Sequence, residues 1–208
     1  MPPWPERCCN LWYRFVQLIF SILFRIIYRL RVIGRDNIPK EGPVVIACNH
    51  VSLLDPPMVG TASSRPVHFM AKSELFVPVL GTLYKSLGAF PVHRGAGDAH
   101  AIRTALTILK HKEVLGIFPE GHRSRDGKLG KAQPGALAIA LKGKAEVVPT
   151  CILGSDLKRR KSFWPRITVV FGKPMKLENE QGNKLKVEEL SEELMKEIQA
   201  LMDAHSDN

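Results

Sequence analysis

The sequence predicts an α/β protein in which a mostly parallel sheet is flanked by helices. Short apolar stretches rich in β-branched residues alternate with longer stretches of helical periodicity along the 208-residue chain. This alternation is typical of layered α/β folds. A hydrophobic content of 45% is enough for one substantial core at this length. Residues 1–33 do not follow this alternation and are expected to form a separate helix outside the layered fold.

An apolar segment over residues 11–32 predicts the first helix. The segment is long enough to cross a bilayer, but polar residues interrupt it at steps of three or four and therefore share one stripe of the helix. They are Arg14, Gln17, Ser21, Arg25 and Arg29. Arginines beside a wide apolar face are typical of a helix in the membrane interface, and a helix packed on the protein's own core is the alternative. We therefore divide the chain into a membrane-interfacial helix, residues 1–33, and one further domain, residues 34–208.

Six strands and four further helices are predicted after Gly34. The strands are 44–48, 67–71, 89–93, 114–118, 147–152 and 167–171. The helices are 56–62 and 99–111, each after an aspartate, 134–142, which begins with a proline, and 187–204, which has apolar residues on one face. In such folds the chemistry collects just beyond the carboxyl ends of the strands. His50, Arg94 and Glu120 each follow a predicted strand.

The net charge and the cysteines indicate which partners and which cellular compartment to expect. A net charge of +10 favours an anionic partner, which can be nucleic acid, a phosphorylated lipid or an acidic membrane surface. The four cysteines, Cys8, Cys9, Cys48 and Cys151, have no metal-ligand spacing, and the adjacent pair does not suit a disulfide framework. We therefore expect a reducing, cytosolic exposure and no metal centre.

A histidine followed five residues later by an aspartate occurs twice, as His50 with Asp55 and as His93 with Asp98. A carboxylate that orients an imidazole makes a general base, which an alcohol nucleophile requires. Each aspartate also precedes a predicted helix and suits its N-cap, so the spacing alone does not choose between the pairs. His68, His100, His111 and His205 have no carboxylate at a useful spacing and are interpreted as structural or solvated.

Four sequence blocks resemble those of the 1-acylglycerol-3-phosphate acyltransferase family, within the glycerolipid acyltransferases. In chain order they are Asn49-His50 to Asp55; Lys72 to Leu75 with Pro78, Gly81 and Gly88 to Arg94; Phe118 to Ser124; and Val148 to Thr150. The resemblance covers residues 34–172, and His122 stands where threonine is more usual. It favours His50 with Asp55 as the catalytic pair, and it leaves His93 beside a binding arginine and Asp98 as a helix cap.

The resemblance implies an enzyme that transfers a fatty acyl group from acyl-CoA or acyl carrier protein to the sn-2 hydroxyl of lysophosphatidic acid. The product is phosphatidic acid, and neither a metal nor a cofactor is expected. His50 would be the base, Asp55 its support and Lys72 the oxyanion donor, with backbone amides near Gly95 or Gly121 as alternatives. The substrate-binding residues it implies are Arg94, Glu120, Gly121, His122 and Arg123. The enzyme would work on anionic lipid at the cytoplasmic face of the cell membrane.

Other classes of function remain open at this stage. One is acyl transfer to another lyso-phospholipid, and a second is a basic membrane-binding protein without enzymatic activity. A nucleic-acid-binding module would explain the charge, but the expected recognition motifs and stacking aromatic residues are missing, so nucleic acid is not expected as a partner. A serine hydrolase would need a Gly-x-Ser-x-Gly elbow, which the sequence lacks.

Overall fold

A seven-stranded sheet forms the centre of the protein. The structure is a computed structural model that describes residues 8–93, 98–156, 164–175, 177 and 186–206. The strands are β1 (Arg31–Ile33), β2 (Val44–Cys48), β3 (Val67–Lys72), β4 (Phe90–Val92), β5 (Val114–Ile117), β6 (Glu146–Leu153) and β7 (Thr168–Phe171). Their order across the sheet is β1-β7-β6-β2-β5-β3-β4.

Helices cover both faces of the sheet. They are α1 (Cys8–Tyr28), α2 (Asp55–Ala62), α3 (Leu80–Ser86), α4 (Ala99–Lys110), α5 (Pro134–Lys142) and α6 (Val187–His205). β2 to β6 run parallel to one another, whereas β7 is antiparallel to β6 and β1 is parallel to β7. The predicted mostly parallel α/β architecture is therefore confirmed. All strands and helices predicted after Gly34 are present, with ends that differ by no more than one residue.

The central strands are apolar on both sides because each face of the sheet has its own core. Val45 and Ala47 of β2 belong to the core under α4, α5 and α6. Val44 and Ile46 belong to the other core, to which α1 and α2 contribute. Alternate residues of a strand point to opposite faces, and parallel strands covered on both faces have nearly continuous apolar sequences. These continuous apolar runs make each central strand recognisable in the sequence.

Two elements differ from the sequence-based expectation. The helix predicted to reach residue 32 ends at Tyr28, and Arg31–Ile33 instead form the edge strand β1 beside β7. The helix stops where Arg29 adopts a φ of 47°, and pairing with β7 then satisfies the backbone that follows. The second difference is α3, a short helix that the sequence pattern did not predict.

One side of α1 faces the protein. Its more buried residues recur at helical spacing and are Tyr13, Val16, Gln17, Phe20, Ser21, Phe24 and Tyr28. The Gln17 side-chain amide donates to the carbonyls of Gly60 (3.0 Å), Thr61 (3.3 Å) and Ser63 (2.9 Å) at the end of α2. Part of the predicted polar stripe therefore docks α1 on α2 rather than facing lipid headgroups.

The outward side of α1 is apolar and exposed. It consists of Leu11, Trp12, Phe15, Leu18, Ile19, Ile22, Leu23, Ile26 and Ile27. At about 100° of rotation per residue, Arg14 and Arg25 lie along the border between this side and the docked side. The window Leu11–Tyr28 is long and apolar enough to cross a membrane, by length and composition.

Replacing Gln17 with leucine should lower the free energy of unfolding by about 1–3 kcal/mol, because partly buried carbonyls lose their donor. Urea denaturation in detergent measures this effect. Gln199→Leu is the matched control, since the Gln199 amide donates to Asp203 on the exposed side of α6, and a surface substitution is expected to stay within about 0.5 kcal/mol. Equal losses in the two variants would contradict the docking role of Gln17.

A second histidine–carboxylate pair joins β3 to the start of β5. The Nε2 atom of His68 lies 2.7 Å from the carboxylate of Glu113, and its Nδ1 lies 3.0 Å from the carbonyl oxygen of Gly88. The interpretation of His68 as structural is confirmed, and its carboxylate partner comes from a distant part of the chain, which sequence spacing does not show. Hydrogen bonding to His68 holds the pKa of Glu113 below its ordinary value.

The lowered pKa of Glu113 makes a prediction about acid stability. A carboxylate with a depressed folded-state pKa contributes stability that is fully present above its ordinary pKa, 4.5, and is lost as the pH falls through the folded-state value. The Glu113→Gln variant should therefore lose stability relative to wild type at about pH 6 and lose much less at about pH 3. Chemical denaturation at both pH values tests this. A deficit that is the same at both, as expected for Glu192→Gln on the exposed side of α6, would contradict it.

Candidate functional site

A buried histidine–aspartate pair lies at the carboxyl end of β2. Nδ1 of His50 is 2.8 Å from Oδ2 of Asp55, and the Asp55 side chain is fully buried. The same Oδ2 accepts the backbone amides of Val51 and Ser52, each at 2.7 Å. The tight turn after the strand thus forms around one carboxylate oxygen.

Asp55 does not cap α2. It occupies the first turn of the helix, which has no side-chain cap, and its hydrogen bonds reach back to residues 50–52 instead. Capping was the competing interpretation of this aspartate, so the geometry favours the role of supporting His50. The second pair behaves differently, because Asp98 accepts the backbone amides of His93, His100 and Ala101 and caps α4 as predicted.

The contact with Asp55 fixes the tautomer of a neutral His50. A carboxylate only accepts, so Nδ1 carries the proton and Nε2 keeps its lone pair. Among the described residues, none hydrogen-bonds to Nε2 of His50. A buried imidazole with one nitrogen held and the other available is the arrangement that a general base needs.

The imidazole of His50 is also held from one face. The Phe118 ring stacks on it with centroids 4.0 Å apart and planes at 19°, and Phe69 stacks behind Phe118 at 5.9 Å and 17°. Gly116 makes room for this column, because a Cβ atom there would overlap the Phe69 ring. Asp55 therefore fixes the edge of the imidazole and Phe118 fixes its plane.

Glu120 connects two loops at the carboxyl ends of the central strands. It is almost fully buried; Oε1 accepts the backbone amide of His50 at 3.2 Å, and Oε2 accepts that of Gly130 at 2.9 Å. The loop after β5 is further tied to β2 because the Ser124 amide donates to the His50 carbonyl at 2.7 Å. A buried acid is costly without such partners, so Glu120 has a clear structural role, and its contact with substrate stays a prediction.

Next to the pair lies a groove of about 1350 Å³. Its lining residues are Val51, Ser52, Leu53, Glu120, His122, Arg123, Ser124, Arg125, Asp126, Lys128, Leu129, Gly130 and Asp156. The predicted binding residues Glu120, His122 and Arg123 are thus brought together on one wall. Within the described part of the chain, the exposed guanidinium of Arg123 has no carboxylate at salt-bridge distance. Arginine binds phosphate with two parallel hydrogen bonds, so this wall suits a phosphate group.

The other predicted site residues have mixed outcomes. Gly121 has a φ of 72° and its amide donates to the Phe118 carbonyl at 2.9 Å, so this amide closes a turn and does not face an oxyanion. Lys72 ends β3 at the same edge as His50, and its ammonium lies 3.6 Å from Glu74 with 44% of the side chain exposed. Arg94 and Gly95 lie outside the described residues.

Neither buried cysteine offers an alternative nucleophile. Burial raises the pKa of the Cys48 thiol well above its ordinary value and that of Cys151 to about 12. The thiolate is the reactive form, so both are inert near neutral pH. In the described ranges, no three His, Cys, Asp or Glu side chains are grouped to hold a metal ion, and the expectation of metal-free chemistry stays a prediction.

The fold and the site together define an α/β enzyme whose candidate general base follows a central parallel strand beside a groove lined by charged residues of both signs. A family model described as acyltransferase matches residues 29–153. A 1-acyl-sn-glycerol-3-phosphate acyltransferase of Bacillus subtilis is 31% identical over 166 residues, which are 78% of this chain and 82% of that protein. The chain belongs to this acyltransferase family and is an acyltransferase.

Two further similarities agree with the assignment. The chloroplastic 1-acyl-sn-glycerol-3-phosphate acyltransferase LPAT1 of Arabidopsis thaliana is 31% identical over 145 residues, and the match spans 67% of this chain but only 40% of the plant protein. The crystal structure of the acyltransferase PlsC from Thermotoga maritima has the same fold, with a TM-score of 0.78 over 98% of this chain and 84% of that chain at 23% identity. The sequence-based assignment to the family is therefore confirmed.

Replacing Phe118 with leucine should lower kcat by about tenfold to a hundredfold with little change in KM, because small misplacements of a reacting group are expensive. Phe118→Tyr keeps the ring and should retain most of the rate. Steady-state kinetics measure both variants. Phe90→Leu is the control, since Phe90 is buried in the core on the other face and should cost stability but not the kcat of folded enzyme. Equal kcat values for Phe118→Leu and Phe90→Leu would contradict a positioning role.

Proposed function

We propose that this enzyme transfers a fatty acyl group from an acyl thioester, acyl-CoA or acyl carrier protein, to the sn-2 hydroxyl of 1-acylglycerol-3-phosphate, making phosphatidic acid. The observation that carries the proposal is the buried contact of 2.8 Å between His50 and Asp55 beside a groove lined by Arg123. The similarity to the 1-acyl-sn-glycerol-3-phosphate acyltransferase of Bacillus subtilis supports the same acceptor.

The proposed reaction is a direct transfer. Nε2 of His50 removes the proton of the acceptor hydroxyl as its oxygen attacks the thioester carbonyl. The new C–O bond forms, the C–S bond breaks, and the leaving thiolate takes the proton from the His50 imidazolium, which restores the base. Asp55 stabilises the imidazolium that forms between these steps. The buried, high-pKa thiols of Cys48 and Cys151 support a route without an acyl-cysteine intermediate.

The charges at the site support a phosphorylated acceptor. Arg123, Arg125 and Lys128 line the groove together with Asp126 and Asp156, and by resemblance Arg94 and His122 join the three cations in binding. We assign the phosphate to this basic wall, with Glu120 and Gly121 shaping the loop that carries it. Lys72 is proposed to stabilise the oxyanion, because it ends a strand at the same edge of the sheet and an ammonium is a suitable donor to developing negative charge.

The membrane is the proposed location of the reaction. The outward side of α1 is apolar over the window Leu11–Tyr28, and the net charge of +10 favours an anionic lipid surface. We place the enzyme on the cytoplasmic face, where its unpaired thiols at Cys48 and Cys151 would stay reduced.

An acyl-transfer assay tests the proposal. The purified chain is offered acyl-CoA and acyl carrier protein as donors, and lysophosphatidic acid and lysophosphatidylcholine as acceptors. Transfer to lysophosphatidic acid should dominate. His50→Ala should lower its rate by about two to four orders of magnitude, as expected for loss of a general base, while circular dichroism shows an intact fold.

His93→Ala is the matched control for that assay, because His93 has the same sequence spacing to an aspartate, yet the hydrogen bond to Asp98 comes from the His93 backbone amide. This variant should keep substantial activity. An equal loss in both variants would overturn the choice of base. Equal or faster acylation of lysophosphatidylcholine would overturn the assigned acceptor, and the faster of the two donors identifies the physiological type.

A further inference from the structure

A second exposed apolar surface lies between β3 and β4, apart from the outward side of α1. It consists of Leu75, Val77, Val79, Leu80 and Leu83, and we call these five residues the apolar turn. Val79 at its tip is 81% exposed. Isolated exposed apolar residues are ordinary, but a cluster of large ones marks a contact surface.

The apolar turn is a packed element. On its inner side, the rings of Phe76 and Tyr84 meet edge to face with centroids 6.1 Å apart. Gly81 is buried against the Phe76 backbone, where a Cβ atom would lie only 2.8 Å away, and its amide donates to the Val77 carbonyl at 2.7 Å. The inner side chains therefore hold the outer ones toward solvent.

The tip of the turn is strained. Val79 has φ 72° and ψ −65°, a conformation that is costly for a β-branched residue. Such strain persists only where the surrounding structure imposes it, and it concentrates at functional segments. Here it places an apolar side chain at the most exposed point of the turn.

The apolar turn adjoins the outward side of α1. The indole NH of Trp12 donates to Ser86 at the end of α3, at 3.1 Å. The turn itself follows the carboxyl end of β3 at Lys72, so it begins at the edge of the sheet where His50 lies. Arg14 on α1 and Lys85 on α3 are exposed and border this combined surface, and the acid beside the turn, Glu74, is paired with Lys72 at 3.6 Å.

We propose that the apolar turn inserts into the same bilayer leaflet that the outward side of α1 contacts. It would be a second membrane anchor that orients the carboxyl ends of the strands, where His50 lies, toward lipid. The bordering cations favour anionic headgroups. Both cations carry the same sign, so they give a second copy of this chain no complementary charge at these positions. The inference rests on the proposed function only in taking the acceptor to be a membrane lipid.

Tryptophan fluorescence on full-length protein tests insertion independently of activity. Leu80→Trp places a reporter at the start of α3, and Ile102→Trp places a matched one on the exposed side of α4. On anionic vesicles with brominated acyl chains, the added emission of Leu80→Trp should shift to shorter wavelength and be quenched, whereas that of Ile102→Trp should not. An unquenched Leu80→Trp, or equal quenching of both reporters, would overturn the proposal.

A charged tip tests what the insertion does. Val79→Asp should fold, because aspartate adopts positive φ more readily than valine. It should lower the turnover of vesicle-borne acceptor by about tenfold, from the lost burial of one valine, and leave a soluble short-chain acceptor unaffected. If Val79→Asp also lowers turnover of the soluble acceptor, the turn binds substrate. If the wild type is a dimer in vesicle-free sedimentation and Val79→Asp dissociates it, the turn serves self-association. Either outcome would overturn the proposal. Absence of transfer by wild type would refute the proposed function while the quenching result still stands.

Discussion

The interaction on which the site depends is the acceptance of three hydrogen bonds by one buried oxygen of Asp55. The imidazole of His50 and the amides of Val51 and Ser52 all converge on it. The chain leaving β2 would otherwise carry unsatisfied amides away from the sheet. Asn49 secures the preceding position, because its side-chain amide exchanges two hydrogen bonds with the backbone of Ile152 on β6. The base is therefore held by the backbone of the sheet as well as by its aspartate.

Glu120 holds the neighbouring loop in the same way, by accepting backbone amides. Both of its oxygens accept backbone amides, one from β2's end at His50 and one from Gly130. In the described contacts, the buried carboxylates of Asp55 and Glu120 accept backbone amides and form no ion pair with a lysine or arginine. The basic side chains of Arg123 and Lys128 lie at the surface of the groove. Asp126 and Asp156 also line the groove, so burial keeps only Asp55 and Glu120 from opposing an anionic substrate.

Much of the fold could be predicted because its signals are local. Strands buried on both faces are continuous apolar runs, and the base and its carboxylate lie on one turn of chain. What the sequence did not reveal depends on distant partners: β1 exists because β7 is beside it, Gln17 is a docking residue because α2 ends beneath it, and Gly116 is required by the Phe69 ring. The role of the resemblance was to choose between His50 and His93, and the capping of α4 by Asp98 gives the physical reason for that choice.

The comparison of His50 with His68 shows why a carboxylate partner alone does not identify a base. Each imidazole has a carboxylate within 2.8 Å. However, the other nitrogen of His68 faces the Gly88 carbonyl, so both nitrogens of this ring are engaged in linking β3, β5 and the turn before β4. His50 has its partner on Nδ1, an aromatic ring on one face and a groove beside its loop. Reactivity in this fold therefore follows from which nitrogen the packing leaves unused, and sequence spacing cannot report that.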